Sequence, residues 1–162
     1  MKFFKNLWSR LPLFLLWGVI SFMLWGWIFT FVTDTSPEKK VTVYCHVPGL
    51  EDRALAAELE KTMPEGLKMI KVHSFDYVMF GTVTGGDVYI IPASEIEPFR
   101  EDLAPVEGDF GVKVYDPVTG EGAAAAYIRY GGEEYYLFLG AGSPHLEDGK
   151  ALAVAKDLMN LQ

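Results

Sequence analysis

Residues 41–72 read VTVYCHVPGLEDRALAAELEKTMPEGLKMIKV, and the succession of patterns inside them sets the fold class. Val41 to Val47 is a run of β-branched and aromatic residues closed by Pro48-Gly49, which predicts a strand and its exit. From Glu51 to Met63 the period changes: Leu55, Leu59 and Met63 recur every fourth residue, with Ala54, Ala56 and Ala57 between them. Acids occupy the first turn and Pro64 and Gly66 follow the last, so this stretch predicts an amphipathic helix with both ends marked. Leu67 to Val72 predicts a second strand. Strand, helix and strand in so short a span is the pattern of a parallel pair with a crossover.

Working toward the C-terminus, His73 to Thr84 has no clear period, although Phe75, Val78, Met79 and Phe80 would line one face of a short helix. Gly85-Gly86 then turns the chain into a third strand, Asp87 to Pro92. Ser94 is placed to cap a following helix whose first turn holds Glu95 and Glu97. Three strand-like runs come next, Gly111 to Tyr115, Ala123 to Tyr130 and Glu133 to Leu139. Residues 116–120 and the pair Gly131-Gly132 supply the turns, the second as a two-residue hairpin. A last helix is expected over Glu147 to Leu161, with Leu152, Ala155, Leu158 and Met159 on its apolar face. The predicted class is α/β, a small mixed sheet flanked by helices over residues 41–162.

Working toward the N-terminus, the chain becomes a different material. Leu11 to Val32 is 22 residues without a charge, and Ser21 and Thr30 are its polar exceptions. At 1.5 Å per residue it would reach about 33 Å as a helix, enough for a hydrocarbon core of about 30 Å. A secretory signal peptide has a shorter apolar region and a small-x-small cleavage site. Here the exit reads Phe29-Thr30-Phe31-Val32-Thr33-Asp34, and Trp25 and Trp27 sit near the boundary that aromatic rings favour. An uncleaved transmembrane helix over 11–32 is therefore expected, its partner being the lipid bilayer. Lys2, Lys5 and Arg10 precede it without an acid, which places residues 1–10 in the cytoplasm and residues 33–162 outside the cell membrane. Thr33 to Lys40 reads as a short polar linker, with Pro37 discouraging continuation of the helix.

Residues 41–162 carry nine Lys and Arg against twenty Asp and Glu, a net of −11. A field of that sign repels nucleic acid, which removes it as a partner. Cys45 has no second cysteine to pair with. Set within a strand-like run and 13 residues beyond Val32, it reads as a buried thiol and not as a lipid attachment site.

Three stretches together carry a family likeness. They are the strand–helix–strand of Val41 to Val72 leading into Ser74-Phe75-Asp76-Tyr77; Gly86-Asp87-Val88-Tyr89-Ile90-Ile91-Pro92-Ala93-Ser94 with the helix after it; and Tyr135 to Gly140 followed by Ala141-Gly142-Ser143-Pro144-His145 and an Ala-containing helix. In this order they resemble one lobe of the type 2 periplasmic-binding-protein-like fold of extracytoplasmic solute-binding proteins. The resemblance implies a family Ala-Asp-hydrophobic strand at Asp87 and a returning strand with its Ser-x-His turn at 135–145. In that family a second lobe is inserted and ligand is held between the two; here Glu107 to Ala126 is long enough only for a hairpin. The implied function is a non-enzymatic binding or accessory domain that works through an open face, a homodimer or a membrane-protein partner.

Candidate site residues follow from the rule that ligands gather outside the carboxyl ends of strands in open α/β sheets. That selects His46, Ser74, Asp76, Tyr77 and Ser94, with Pro48 and Ala93 beside them. His46, His73 and His145 lack metal-ligand spacing and have no cysteine set to complete them, so they read as surface or capping histidines, and no metal or cofactor is expected. Ser143-Pro144-His145 and Ser74-Phe75-Asp76 invite a second reading, a small membrane-tethered hydrolase. A nucleophile elbow of the form Gly-x-Ser-x-Gly does not occur, and Gly81 to Gly86 lacks the Lys-Ser/Thr ending of a phosphate loop.

Overall fold

The computed structural model describes residues 2–33, 35–74, 85–129 and 131–161. They form two compact units, residues 1–35 and 36–162. The expected short helix within 73–84 falls almost wholly outside the described residues.

The first unit is one helix, α1 (Lys2–Thr33), with Pro12 inside it. Its stretch Leu11–Thr30 is long and apolar enough to cross a membrane, and none of it is buried within the protein. Phe22, Met23 and Trp25 are each at least 70% exposed, which no core helix of a globular domain would tolerate. Thr30 donates its hydroxyl hydrogen to the Gly26 carbonyl at 2.9 Å, so even this polar group is satisfied inside the helix. By length and composition α1 has what a membrane anchor or a signal sequence requires.

The second unit is built on a six-stranded mixed sheet. Its strands are β1 (Lys40–Cys45), β2 (Met69–Ser74), β3 (Val88–Pro92), β4 (Leu103–Ala104), β5 (Val112–Tyr115) and β6 (Tyr135–Gly140). The order is β2-β1-β3-β6-β4, with β5 also on β6. β1 runs parallel to β2 and β3, while β6 is antiparallel to β3, β4 and β5. The expected parallel start and mixed sheet are therefore both present. Among the described residues two α-helices belong to this unit, α2 (Asp52–Leu59) and α3 (Lys150–Asn160).

Alternation along the strands sorts the core into two layers. Val41, Val43, Cys45, Val88, Ile90, Leu137 and Leu139 face Leu55 and Leu59 of α2 and Ala151, Val154, Ala155 and Leu158 of α3. The α3 set follows the i, i+3, i+4, i+7 rule, and each fully buried leucine contributes about 2 kcal/mol of transfer free energy. On the opposite face Tyr89, Ile91 and Phe138 pack with Ile96, Tyr44, Phe99 and Leu103. Cross-strand register puts His73, Tyr44, Tyr89 and Phe138 in one row over four strands. Tyr44 stacks on His73 at 5.5 Å and on Tyr89 at 5.9 Å. Cys45 is fully buried, and burial together with the Asp52 charge pushes its thiol far above the usual range.

Several expectations are corrected. The expected strand Ala123 to Tyr130, described as far as residue 129, is not a strand there: backbone bonds from Ala125 to Gly122 and from Tyr127 to Ala124 make it a series of turns. Four consecutive alanines have neither branched nor aromatic side chains to favour a pleated surface. Ile128 makes an isolated bridge to Leu50, and among the described residues β6 pairs with β3, β4 and β5 and not with a strand across Gly131-Gly132. Gly122 adopts φ 143, and a Cβ there would lie 2.2 Å from the Val114 carbonyl oxygen, a contact only glycine permits. The helix expected after Ser94 is instead two 3-10 helices, Ala93–Glu95 and Glu97–Asp102. Pro98 within the second cannot donate to an α ladder. Ser94 lies inside the first of these, whose N-cap is Pro92, and not at a helix start.

The polar stretch 33–40 also divides. α1 runs to Thr33, while Pro37–Lys39 forms a 3-10 helix and Lys40 opens β1, both within the second unit. The last helix begins at Lys150, three residues later than expected. Gly149 before it has φ 74, and the Lys150 N–H is taken by Asp148 Oδ1 at 3.0 Å.

Candidate functional site

The carboxyl ends of the parallel strands bring together most of the expected residues. His46 directly follows β1, and its N–H donates to the Ile90 carbonyl at 2.8 Å, carrying the β1–β3 pairing one residue further. That bond fixes the backbone from which the imidazole projects. His46 Nδ1 lies 2.6 Å from Glu95 Oε2, with the side chains 16% and 33% exposed. Ser74, opposite Cys45 in register, is exposed at the end of β2. Ser94 is exposed too, its N–H reaching Glu133 Oε2 at 3.3 Å, and Ala93 donates to the Glu134 carbonyl at 2.9 Å. Asp76 and Tyr77 lie outside the described residues. His46, Ser74 and Ser94 thus share one end of the sheet, joined by a residue the sequence did not point to, Glu95. It stands 49 positions from His46, and no local spacing marks such a pair.

A half-buried His–Glu pair is held in one orientation by the carboxylate and presents polar groups beside exposed hydroxyls. Such an arrangement hydrogen-bonds a polar ligand or the main chain of a partner. Among the described residues, no group of three or more His, Cys, Asp or Glu is gathered to hold a metal ion.

The amino ends of the same strands are organised differently. Asp87, 4% exposed, accepts the Thr42 N–H on Oδ2 at 2.7 Å and the Ser143 hydroxyl on Oδ1 at 2.5 Å. Its backbone N–H donates to the Thr42 carbonyl, and its carbonyl accepts from Gly140. One residue therefore joins β1, β3 and β6. A Cβ on Gly140 would meet the Gly86 carbonyl oxygen at 2.1 Å, which shows how closely β6 approaches that turn. Ser143 Oγ also accepts the His145 N–H at 3.0 Å.

His145 is not a surface or capping histidine: it is 1% exposed. Its Nδ1 lies 3.0 Å from Asp148 Oδ2, and its Nε2 lies 2.9 Å from the Pro37 carbonyl and 3.1 Å from that of Lys40. Burial pulls the imidazolium pKa down, but the Asp148 bond, the Pro37 carbonyl and the Asp87 charge outweigh it, and the result is above the ordinary histidine value. Lys150, bonded to Asp148 at 2.7 Å, is the largest cause holding that carboxyl well below the carboxylate range, and His145 adds to it.

No family model, curated protein or solved structure matches the chain. Assignment rests on the geometry of these two ends. Ser143 and His145 do not form a nucleophile and base: the hydroxyl points to Asp87 and both ring nitrogens face other acceptors. A separate cleft of about 200 Å³ is lined by Ile96, Leu103, Phe110 and Phe138, with Arg100 and Asp109. Phe110, 44% exposed, meets Tyr136 and Phe138 edge-on at 5.5 Å.

Proposed function

We propose that residues 36–162 are an extracytoplasmic binding or accessory domain resembling a single lobe of a type 2 periplasmic binding protein, held at the cell membrane by α1. The observation that carries this reading is the His46–Glu95 pair with Ser74 and Ser94 at the carboxyl ends of β1, β2 and β3, where α/β sheets take ligands. The strand order β2-β1-β3 and the antiparallel return of β6 beside β3 support the lobe resemblance. Where the family inserts its second lobe, Glu107 to Ala126 is long enough only for a hairpin, so the other wall of a cleft would come from a membrane-protein partner or a second copy.

The three cations ahead of the apolar run and the bulky residues at its exit support an uncleaved anchor with its N-terminus in the cytoplasm. Two variants, each adding one cysteine to a chain whose own Cys45 is buried, test the orientation in intact cells with a membrane-impermeant maleimide. Val118→Cys, at a position 91% exposed, is labelled, and Ser9→Cys is labelled only after the cells are broken. The reverse pattern would invert the topology.

The binding reading is tested on the full chain in detergent by a thermal-shift screen of sugars, amino acids and peptides, alongside its oligomeric state. A ligand that raises Tm for the native chain and not for His46→Ala or Glu95→Gln supports the site. A monomer unmoved by every ligand removes solute binding and leaves protein contact alone.

A further inference from the structure

We propose that His145 is a proton-operated latch, holding the segment by which the chain enters the domain, residues 37–40, against the amino ends of the strands. The ring is sealed from solvent, and each atom recorded opposite its two nitrogens is an acceptor: a carboxylate oxygen on one side, two main-chain carbonyls on the other. None of the three can donate to an imidazole lone pair. Both nitrogens must therefore carry hydrogen, and only the imidazolium satisfies the arrangement. Either neutral tautomer would set a lone pair against an acceptor inside a dry site, a cost of the kind that buried unpaired polar groups incur.

The charged groups around the ring come from each element that packs there. Asp148 lies on the same loop and is shared with Lys150 from the start of α3. Lys150 Nζ also reaches the Glu38 carbonyl at 3.4 Å, so the entry segment is held by two cations through its main chain. Asp87, from the turn before β3, contributes its charge from behind Ser143. Glu38, Lys39 and Lys40 belong to the held segment itself.

The sign of the pH dependence follows from the direction of the shift. The folded-state pKa of His145 is raised, so the stability it contributes is complete below the unfolded value of about 6.5 and is lost as pH rises through the folded value. Acidic surroundings close the latch. Release returns residues 36–38 to the tether, lengthening it by up to about 11 Å of extended chain, while the Lys39 carbonyl stays bonded to the Lys68 N–H at 2.8 Å.

The test is nitrogen-detected NMR of the full chain in micelles, labelled at histidine and lysine. At pH 6 both ring nitrogens of His145 carry hydrogen, the ring titrates above the ordinary histidine value, and the Lys39 and Lys40 amide resonances move with the same midpoint. Asp148→Asn lowers that midpoint by about one pH unit. His145→Gln, which can still donate to a carbonyl, keeps the fold and abolishes the pH response of the two amides. One unprotonated ring nitrogen at pH 6, lysine amides that ignore the ring's midpoint, or an unmoved midpoint in Asp148→Asn would each overturn the latch. Should His145→Gln fail to fold, the native titration and Asp148→Asn still decide.

Discussion

The two ends of β1 carry the same chemistry, a histidine beside a carboxylate with serines close by, and use it for opposite purposes. At the amino end His145 and Asp87 are 1% and 4% exposed, and their bonds run to main-chain groups of two strands, β1 and β6, and of the entry segment. At the carboxyl end His46 and Glu95 pair with each other at a half-open surface. Residue type does not separate the two; burial and the identity of the partners do. A sealed polar group bonded to backbone fixes the fold, whereas a half-open pair on fixed backbone keeps one side toward solvent.

The comparison breaks most readily at Asp87. Asp87→Ala strips an acceptor from the buried Thr42 N–H and from Ser143 together, and is expected to destabilise the domain by about 3 kcal/mol in denaturant titration. Ser143→Ala removes one charge-assisted bond while leaving the Thr42 contact, for a loss of about 1.5 kcal/mol. At the other end Glu95→Gln should change stability by no more than about 0.5 kcal/mol, the range of a partly exposed pair. A loss at Glu95 as large as that at Asp87 would make the carboxyl end structural as well. Smallest is the acid limb at Asp148, whose folded pKa is depressed: its contribution is present above about pH 4 and is lost as pH falls further. Stability measured across pH should thus fall away on both sides, through Asp148 in acid and through His145 in alkali.

Much of the architecture was legible because it is periodic. The apolar run, β1, α2, β2, β3, β6 and α3 each announce themselves by spacing two or spacing three-to-four. Ala123 to Ala126 misled because apolar content was read as strand where the side chains had no β preference. Ser94 misled because Pro98, four residues on, prevented the helix it was expected to start. The site was legible only by half: strand ends selected His46, Ser74 and Ser94, but Glu95 reaches His46 across 49 residues and Asp87 reaches Ser143 across 56. Contacts of that range are set by sheet order, which no local pattern encodes. The burial of His145 escaped for the same reason, since Pro37 and Lys40 cover it from more than 100 positions away.

Cys45 lies between these two ends, the last residue of β1 and the only thiol in the chain. Sealed and held protonated, it is inert while the strand stays paired and becomes an ordinary nucleophile when the strand opens. Its alkylation rate is therefore a native stopwatch for opening of β1. Timed in the Asp87 and Glu95 variants, it tells a loosened fold from an altered binding surface without any introduced cysteine.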